Sequence, residues 1–275
     1  MVRVYRPESL DEALALLSGK EMAVMAGGTD LMVKCRARAG TLPSFKKDVL
    51  LVGHLIELKG VSQKGGILRI GAATCMEDIL RSVDVPEYVK GPVRQIGSPA
   101  VRNLGTLGGN ICNASPAGDS LTMLYALDAV LEIASAGASR SCRIGEFIAG
   151  PGRNTLSEGE ILKCVIIPLG AFNRYFYRKA GLRRANAIAK VSFYGLAYVE
   201  NGKPHDARMA LGAVAPTVVR SRKAEELLCD GSLVCARQEL LSSMAPIDDV
   251  RSTRGYRMVV AENMVDRFFK EVTAD

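Results

Sequence analysis

One stretch in the middle of the chain constrains the fold more than any other. Residues 96–119 read IGSPAVRNLGTLGGNICNASPAGD and contain five glycines and two prolines among small polar residues. This composition is too irregular for a long helix or strand, yet the stretch sits within a domain and not at a boundary. Long irregular segments inside compact domains are often functional. We therefore expect residues 96–119 to carry part of a functional site.

The residues before this stretch carry signals for both helices and strands. Ser9 and Glu12 form a capping box in front of apolar residues at helical spacing, and Gly19 supplies a stop, which predicts a helix between them. A second capping box, Thr74 with Glu77, predicts another helix directly after it. Short apolar runs predict strands at Ala23–Ala26, Val49–Val52 and Ile67–Ile70.

A second part of the chain is predicted to begin after Pro168–Ala171. Apolar residues repeat at helical spacing from Ala261 to Val272, which predicts a C-terminal helix. The chain has 275 residues, more than a typical domain of about 100–200 residues. We therefore predict an α+β protein with one domain over residues 1–170 and a smaller domain over residues 171–275. Strands of the smaller domain are expected at Arg174–Lys179, Ile188–Val199 and Arg208–Val214.

The charge and hydropathy of the chain exclude several classes of protein. A net charge of +7 raises the question of nucleic-acid binding, but the basic clusters at 36–38 and 220–223 are short and aromatic residues make up only 5%. No apolar run approaches the ~20 residues of a membrane helix. Residues 1–7 have no apolar segment after their positive charges, as a signal peptide would. We therefore expect a cytoplasmic protein with no nucleic-acid partner and no membrane span.

Common catalytic and metal-binding motifs do not occur in the sequence. The closest two of the seven cysteines are six residues apart, and the only histidines are His54 and His205. This pattern indicates reduced thiols, and it argues against disulfides, zinc and iron–sulfur ligation. The lysine-containing phosphate loop, the GxGxxG fingerprint, the HExxH motif and a Ser-His-Asp arrangement are also missing. No residue is therefore predicted to be catalytic or to bind a metal.

Two glycine pairs carry the remaining chemical signal, Gly27–Gly28 and Gly108–Gly109. Glycine lets the backbone come close to a ligand, and successive amides in such turns form a nest for anionic oxygens. Either pair alone is more simply explained as a tight turn. Two such nests close together can bind a diphosphate without a lysine. The two pairs therefore indicate a dinucleotide site. Neutral donors flank the pairs at Thr29, Thr106, Asn110 and Ser115.

The segments that contain these glycines resemble the flavin-binding signatures of the molybdenum hydroxylases. The similarity is to the separate medium subunit of carbon monoxide dehydrogenases and bacterial xanthine dehydrogenases, and it extends over nearly the whole chain. Their order and spacing identify the chain as a member of this family. The segments are Ala26–Leu31, Val101–Asn103, Thr106–Ile111 and Ala114–Asp119 in the first part, and Tyr177–Ala180 and Ala187–Val191 in the second.

The resemblance implies an FAD-binding domain of the vanillyl-alcohol-oxidase type, built from two α/β subdomains, followed by a C-terminal α+β domain. It sets Ile96 and Leu162 against the isoalloxazine ring and Lys179 near the flavin, where a cation would stabilise negative charge on the reduced ring. The cofactor-binding residues that it implies are Ala26, Gly27, Gly28, Thr29, Asp30, Leu31, Ile96, Thr106, Leu107, Gly108, Gly109, Asn110, Ser115, Asp119, Leu162 and Lys179.

The resemblance also implies an electron-transfer function. FAD takes up two electrons and can return them singly, so it joins one-electron carriers to two-electron acceptors. The implied partners are a molybdopterin-binding large subunit and a small subunit with [2Fe–2S] clusters, and the acceptor is NAD or another carrier. We expect the FAD-binding subunit of a molybdenum-containing hydroxylase or dehydrogenase. The alternative is a self-sufficient FAD-dependent oxidoreductase that acts on a small molecule.

Overall fold

The computed structural model describes residues 2–273, and the chain begins with a small parallel sheet. Its elements are β1 (Val4–Tyr5), α1 (Leu10–Leu17), β2 (Ala23–Met25), α2 (Leu31–Lys34) and β3 (Val49–Leu51). Because β3 lies between β1 and β2, β2 is an edge strand and the loop after it reaches away from this sheet. Buried residues of α1 and β3, among them Leu14 and Leu50, form the core of this subdomain.

A second subdomain follows a 3-10 turn at Ile56–Leu58 and contains an antiparallel sheet of five strands. Its elements are β4 (Val61–Lys64), β5 (Ile67–Gly71), α3 (Met76–Arg81), α4 (Glu87–Arg94), α5 (Pro99–Arg102), α6 (Leu107–Asn113), α7 (Asp119–Ala126), β6 (Val130–Ser135), β7 (Ala138–Arg143), α8 (Ile144–Phe147), β8 (Ile148–Gly150), β9 (Arg153–Asn154) and β10 (Ile161–Pro168). The strand order is β4-β5-β10-β6-β7, and α6 packs against β5 and β10. The short strands β8 and β9 pair separately.

The remainder of the chain is a three-stranded antiparallel sheet between helices. Its elements are β11 (Arg174–Ala180), β12 (Val191–Glu200), β13 (Lys203–Gly212), α9 (Arg222–Cys229), α10 (Leu233–Ser242) and α11 (Arg254–Thr273). Helix α7 of the preceding subdomain contacts β12 and β13, while α11 contacts all three strands. The central strand β12 is therefore covered on both faces, and nearly all of its residues are buried.

Alternate residues of β11 and β12 join different cores. Phe176 and Phe193 pack with Phe268 of α11, whereas Tyr177 and Tyr194 belong to the cluster that fills the second subdomain. The C-terminal sheet is thus joined to the rest of the molecule by a shared apolar core. The α+β class is confirmed, and the division at residue 170 stays a prediction. No helix within residues 2–273 has the length and apolar content needed to cross a membrane.

Most elements predicted from local patterns are confirmed. The Ser9 hydroxyl accepts a hydrogen bond from the Glu12 amide at 3.2 Å and begins α1. The predicted strands before residue 71 are present within one residue of their expected bounds. The C-terminal helix is also present, but it begins at Arg254, seven residues before the expected start. The second capping box was wrong, since Cys75 precedes α3 and the Thr74 hydroxyl donates to the Gly60 carbonyl instead.

The irregular stretch at residues 96–119 contains no long helix or strand, as predicted, but it is more ordered than its composition suggests. It forms α5 and α6 and ends where α7 begins. Ser98 and Thr106 each cap one of these helices, because their hydroxyls accept hydrogen bonds from the amides of Val101 and Gly109 at 3.3 and 3.1 Å. Short capped helices therefore hold the glycines of this stretch in fixed positions.

Candidate functional site

A cleft of about 580 Å³ lies where the two subdomains meet the C-terminal part of the chain. Its walls come from the loop after β2, from the start of α6, from residues 115–119 before and at the start of α7, and from a C-terminal loop at residues 186–188. This volume is within the usual range of ligand-binding clefts, about 300–1,000 Å³. The irregular stretch singled out in the sequence supplies the largest part of the wall.

The loop after β2 presents a run of free backbone amides to the cleft. Among the described residues, no acceptor is present for the amides of residues 27–31. Gly28 has a φ of +70°, and a β-carbon on Gly27 would overlap the Leu104 carbonyl oxygen and lie 2.5 Å from the carbonyl carbon. Only glycine at position 27 allows this close approach of the two loops. Consecutive unpaired amides of this kind form an anion-binding nest.

The two glycines of the second pair, in the first turn of α6, have different surroundings. The amide of Gly108 donates to the Ala72 carbonyl at 2.8 Å, and a β-carbon there would lie 2.6 Å from that of Ala72. Leu107 is fully buried in the adjoining core. Gly109 instead lines the cleft, where a β-carbon would meet only the Thr106 hydroxyl, at 2.9 Å. The amides of Leu107 and Asn110 donate to the Thr74 and Thr106 carbonyls, and that of Gly109 donates to the Thr106 hydroxyl, so the nest expected at this second glycine pair was wrong. Gly108 secures α6 against the sheet, and Gly109 keeps space open in the cleft.

A buried ion pair lies behind the cleft wall at the start of α7. The Asp119 carboxylate accepts hydrogen bonds from the Lys179 ammonium at 2.5 Å and from the Tyr177 hydroxyl at 3.1 Å. The side chains of Asp119 and Lys179 are 8% and 7% exposed. Burial raises the pKa of the Asp119 carboxyl, while the charge and hydrogen bond of Lys179 and the bond from Tyr177 act in the opposite direction. Because Lys179 lies on β11 and Asp119 begins α7, this ion pair connects β11 to the part of α7 that lines the cleft.

Lys179 also fixes a second part of the wall, since its ammonium donates to the Gln95 carbonyl at 3.1 Å. The adjacent Ile96 carbonyl accepts a hydrogen bond from the Arg102 guanidinium at 3.2 Å. Two cations thus hold the turn that brings Ile96 and Gly97 into the cleft lining, and Gly97 has a φ of +54°.

Polar side chains connect α2 to α6 across the cleft. The Asn113 side-chain amide donates to the Asp30 carboxylate at 2.9 Å, and the Lys34 ammonium donates to the Asn113 side-chain oxygen. All three residues line the cleft. One turn earlier on α6, the Asn110 side-chain oxygen accepts a hydrogen bond from the Ser120 hydroxyl at 2.6 Å. These bonds set the spacing between the two glycine loops.

The structure brings twelve of the sixteen expected cofactor-binding residues into one cleft. Leu107, Gly108, Leu162 and Lys179 do not line it, because Leu107 and Leu162 lie in the core, Gly108 packs on Ala72, and Lys179 lies behind Asp119. The twelve that line it are Ala26, Gly27, Gly28, Thr29, Asp30, Leu31, Ile96, Thr106, Gly109, Asn110, Ser115 and Asp119.

Sequence reasoning missed lining residues from the C-terminal part of the chain. Residues 186–188 and Arg251 reach the cleft from segments with no glycine pair, and the family resemblance at Ala187–Val191 gave those residues no role at the cofactor. Asn186 has a φ of +50°, a left-handed conformation that asparagine adopts more readily than most residues. Gly97 and Gly105 were within the stretch already singled out, and their glycine content was the available signal.

Cys112 provides a direct probe of the cleft. It lies in the lining, and burial raises the pKa of its thiol to about 12. Since the thiolate is the reactive form, iodoacetamide at pH 8 is expected to label the exposed Cys235 and to leave Cys112 unmodified. Peptide mass spectrometry measures both sites in one sample. Labelling of Cys112 as fast as Cys235 in the folded protein would contradict this expectation.

The thiols of the chain are dispersed in the structure as in the sequence. All seven cysteines are free. Within residues 2–273, no group of three His, Cys, Asp or Glu side chains has the proximity needed to hold a metal ion.

Comparison with known proteins agrees with the geometry of the cleft. Residues 1–170 match a family described as the FAD binding domain in molybdopterin dehydrogenase, and residues 175–272 match the CO dehydrogenase flavoprotein C-terminal domain. The chain is 28% identical to the putative xanthine dehydrogenase FAD-binding subunit of Escherichia coli K12, with 98% of this chain and 95% of that protein covered.

Two further similarities extend over the same length. The glyceraldehyde dehydrogenase medium chain of Sulfolobus acidocaldarius is 31% identical, with 97% of this chain and 96% of that protein covered. A solved chain of quinoline 2-oxidoreductase from Pseudomonas putida 86 superposes with a TM-score of 0.88 at 25% identity, and 99% of this chain and 97% of that chain are covered. The similarity therefore includes both parts of the chain.

Proposed function

This chain belongs to the FAD-binding family of molybdopterin dehydrogenases, and we propose that it transfers electrons through FAD within a multi-subunit molybdenum hydroxylase. Its cofactor is FAD, and it is a subunit of an oxidoreductase of the xanthine or carbon monoxide dehydrogenase kind. The observation that carries the proposal is the cleft, where unpaired amides from one glycine loop face polar groups from the other.

The lining of the cleft fits the diphosphate of FAD. The free amides of residues 27–31 form a nest that suits anionic oxygens. Gly109 leaves space that a side chain would fill, and the hydroxyl of Thr106 and the side chain of Asn110 stand beside it. We assign the diphosphate to residues 27–31 together with Thr106, Gly109 and Asn110. Ala26 and Ser115 complete the polar wall.

The other expected residues have a supporting role in this proposal. Asp119 contacts the cofactor from the start of α7, and Lys179 acts on it through the Asp119 carboxylate. Ile96 offers an apolar surface to the isoalloxazine ring, and Lys179 and Arg102 fix the backbone that carries Ile96. Leu107, Gly108 and Leu162 hold the wall from behind.

The side chains of the cleft favour an electron relay over a self-sufficient oxidoreductase. When bound, FAD would take up electrons singly from one-electron carriers and pass them in pairs to a two-electron acceptor. Among the described lining residues there is no histidine, and both carboxylates are engaged, Asp30 with Asn113 and Asp119 with Lys179. The lining residues thus hold one another in place, and the chain's own task is to bind and orient the cofactor.

The relay requires partners that hold the other redox groups. We propose a molybdopterin-binding large subunit, a small subunit with [2Fe–2S] clusters and NAD or another acceptor, in a cytoplasmic complex. The names of the relatives, an FAD-binding subunit and a medium chain, support an assembly of several chains.

Anaerobic reduction of the flavin tests the proposal. The isolated chain loaded with FAD is compared with the complex purified from the native source, each with a panel of purines, aldehydes and N-heterocycles. The flavin bands of the complex are expected to bleach with at least one substrate, while those of the isolated chain stay unchanged. Reduction of the isolated chain by a small donor would establish the alternative, and failure of both samples to bind flavin would reject the proposal.

A further inference from the structure

The C-terminal part of the chain contributes one partly exposed cation, Arg251, to the cleft. Two cationic side chains are present in the described lining, Lys34 and Arg251. Lys34 is engaged with the Asn113 side chain. The charged partner of Arg251 is Asp249, at 3.5 Å, and the Arg251 side chain is 40% exposed. Its guanidinium therefore retains most of its capacity to bind an anion.

Arg251 stands on a turn that is held rigidly. Asp249 and Ser252 exchange two backbone hydrogen bonds, of 3.1 and 3.2 Å. One oxygen of the Asp249 carboxylate also accepts from the amides of Arg251 at 2.9 Å and of Ser252 at 3.1 Å. Burial opposes the charge of this carboxylate, yet the hydrogen bonds from these amides and from Arg257, together with its charge, lower the pKa of Asp249. The turn that carries Arg251 is thus fixed before any ligand binds.

A buried arginine ties this turn to the cleft. The Arg257 side chain is 3% exposed and donates to the Asp249 carboxylate at 2.7 Å. It also donates to the carbonyls of Lys190 at 2.5 Å and Ala213 at 2.9 Å. The Ala213 amide in turn donates to the Pro116 carbonyl at 2.8 Å, within the loop that lines the cleft before α7. The buried Arg257 therefore positions the turn that carries Arg251.

We propose that Arg251 binds a dinucleotide diphosphate in the cleft and supplies a cation to a lining whose free amides at residues 27–31 are neutral. This inference rests on the proposed function. A guanidinium forms paired hydrogen bonds with phosphate oxygens and also offsets their negative charge. Backbone amides donate hydrogen bonds to such oxygens but carry no charge. The diphosphate belongs either to the resident FAD or to a pyridine dinucleotide acceptor that enters the same cleft.

Arg251→Ala and Arg251→Gln are compared with wild type and with Arg254→Ala, an exposed arginine on the following helix that does not line the cleft. Apo-protein is titrated with FAD by fluorescence, and FAD-loaded protein is titrated with ADP-ribose by calorimetry. Because a hydrogen-bonded charge is lost, we expect both Arg251 variants to bind one of the two ligands, FAD or ADP-ribose, about 10- to 100-fold more weakly. The affected arm identifies the source of the diphosphate.

The salt dependence of the affected affinity is expected to decrease in the Arg251 variants, since an ionic contact is lost. Arg251→Lys is expected to retain part of the affinity. Unchanged affinities for both ligands in Arg251→Ala, with wild type and Arg254→Ala binding FAD normally, would overturn this inference alone. Failure of wild type to bind FAD would overturn the proposed function and this inference together.

Discussion

Gly27→Ala is expected to abolish FAD binding and to lower the free energy of unfolding by about 3 kcal/mol. A β-carbon at this position would overlap the Leu104 carbonyl oxygen, which belongs to a backbone and cannot rotate away. The loop after β2 would have to separate from residues 104–105, and the run of free amides would move with it. Thermal and denaturant unfolding of the apo-protein, with FAD titration of the same preparation, measure both effects.

Gly109→Val separates cofactor binding from stability. Its side chain would enter the cleft, where the Thr106 hydroxyl is the nearest group, so the fold is expected to persist while FAD affinity falls at least about 100-fold. Gly19→Ala is the matched control, because no atom lies within 4 Å of the added carbon and its backbone is not in the left-handed region. Flavin content equal to wild type in Gly109→Val would reject the assignment of the diphosphate to the wall formed by Thr106, Gly109 and Asn110.

Local patterns predicted the elements of the cleft better than their orientation. The glycine pairs were recognisable because close backbone approach leaves few other residue choices. The sequence could not show that Gly108 would pack on Ala72 while Gly109 faced the cleft, since this depends on how α6 sits against β5 and β10. The family resemblance supplied Asp119 and Lys179, whereas their direct pairing is visible only in the fold.

The predictions that were wrong or missing have a common physical cause. Thr74 has the sequence of a helix cap, but its hydroxyl is used by the Gly60 carbonyl on a neighbouring segment. Arg251 lies more than a hundred residues from the glycine loops in the sequence. The buried side chain of Arg257 holds the turn that carries Arg251 into the lining of the same cleft. Both outcomes depend on contacts between distant parts of the chain, which single-sequence patterns do not encode.

Lys179→Met is expected to lower the free energy of unfolding at pH 7 by about 3–5 kcal/mol, because it leaves the Asp119 carboxylate buried without its cation. Asp119→Asn leaves the ammonium unpaired and is expected to have a similar cost. The double variant removes both charges, so most of the stability returns. A double-mutant cycle from denaturant unfolding gives the coupling energy directly. Additive losses in the double variant would contradict the pairing.

The loss of stability in Lys179→Met is expected to depend on pH in a definite direction. Burial already raises the pKa of Asp119 in the wild type, and removal of Lys179 raises it further. A carboxyl whose pKa is higher in the folded state than in the unfolded state lowers stability as pH rises between those two values. The deficit of Lys179→Met is thus expected to be largest at neutral pH and to shrink as pH falls toward about 4, the ordinary pKa of an aspartate in the unfolded chain, below which the carboxyl is protonated in both states. A deficit that is constant from pH 4 to pH 7 would mean that Lys179 contributes by packing alone.

The reduction potential of the bound flavin separates a structural role of Lys179 from an electrostatic one. In wild type the ammonium is paired with Asp119, so the pair contributes little net charge to the cleft. The double variant is expected to keep the potential of wild type, whereas Lys179→Met, measured where it is folded, is expected to show a lower potential because a cation that stabilises the reduced ring is lost. An equal potential in all three proteins would leave Lys179 as a residue that only joins β11 to α7. A lower potential in the double variant would show that the lysine acts on the flavin beyond its pairing with Asp119.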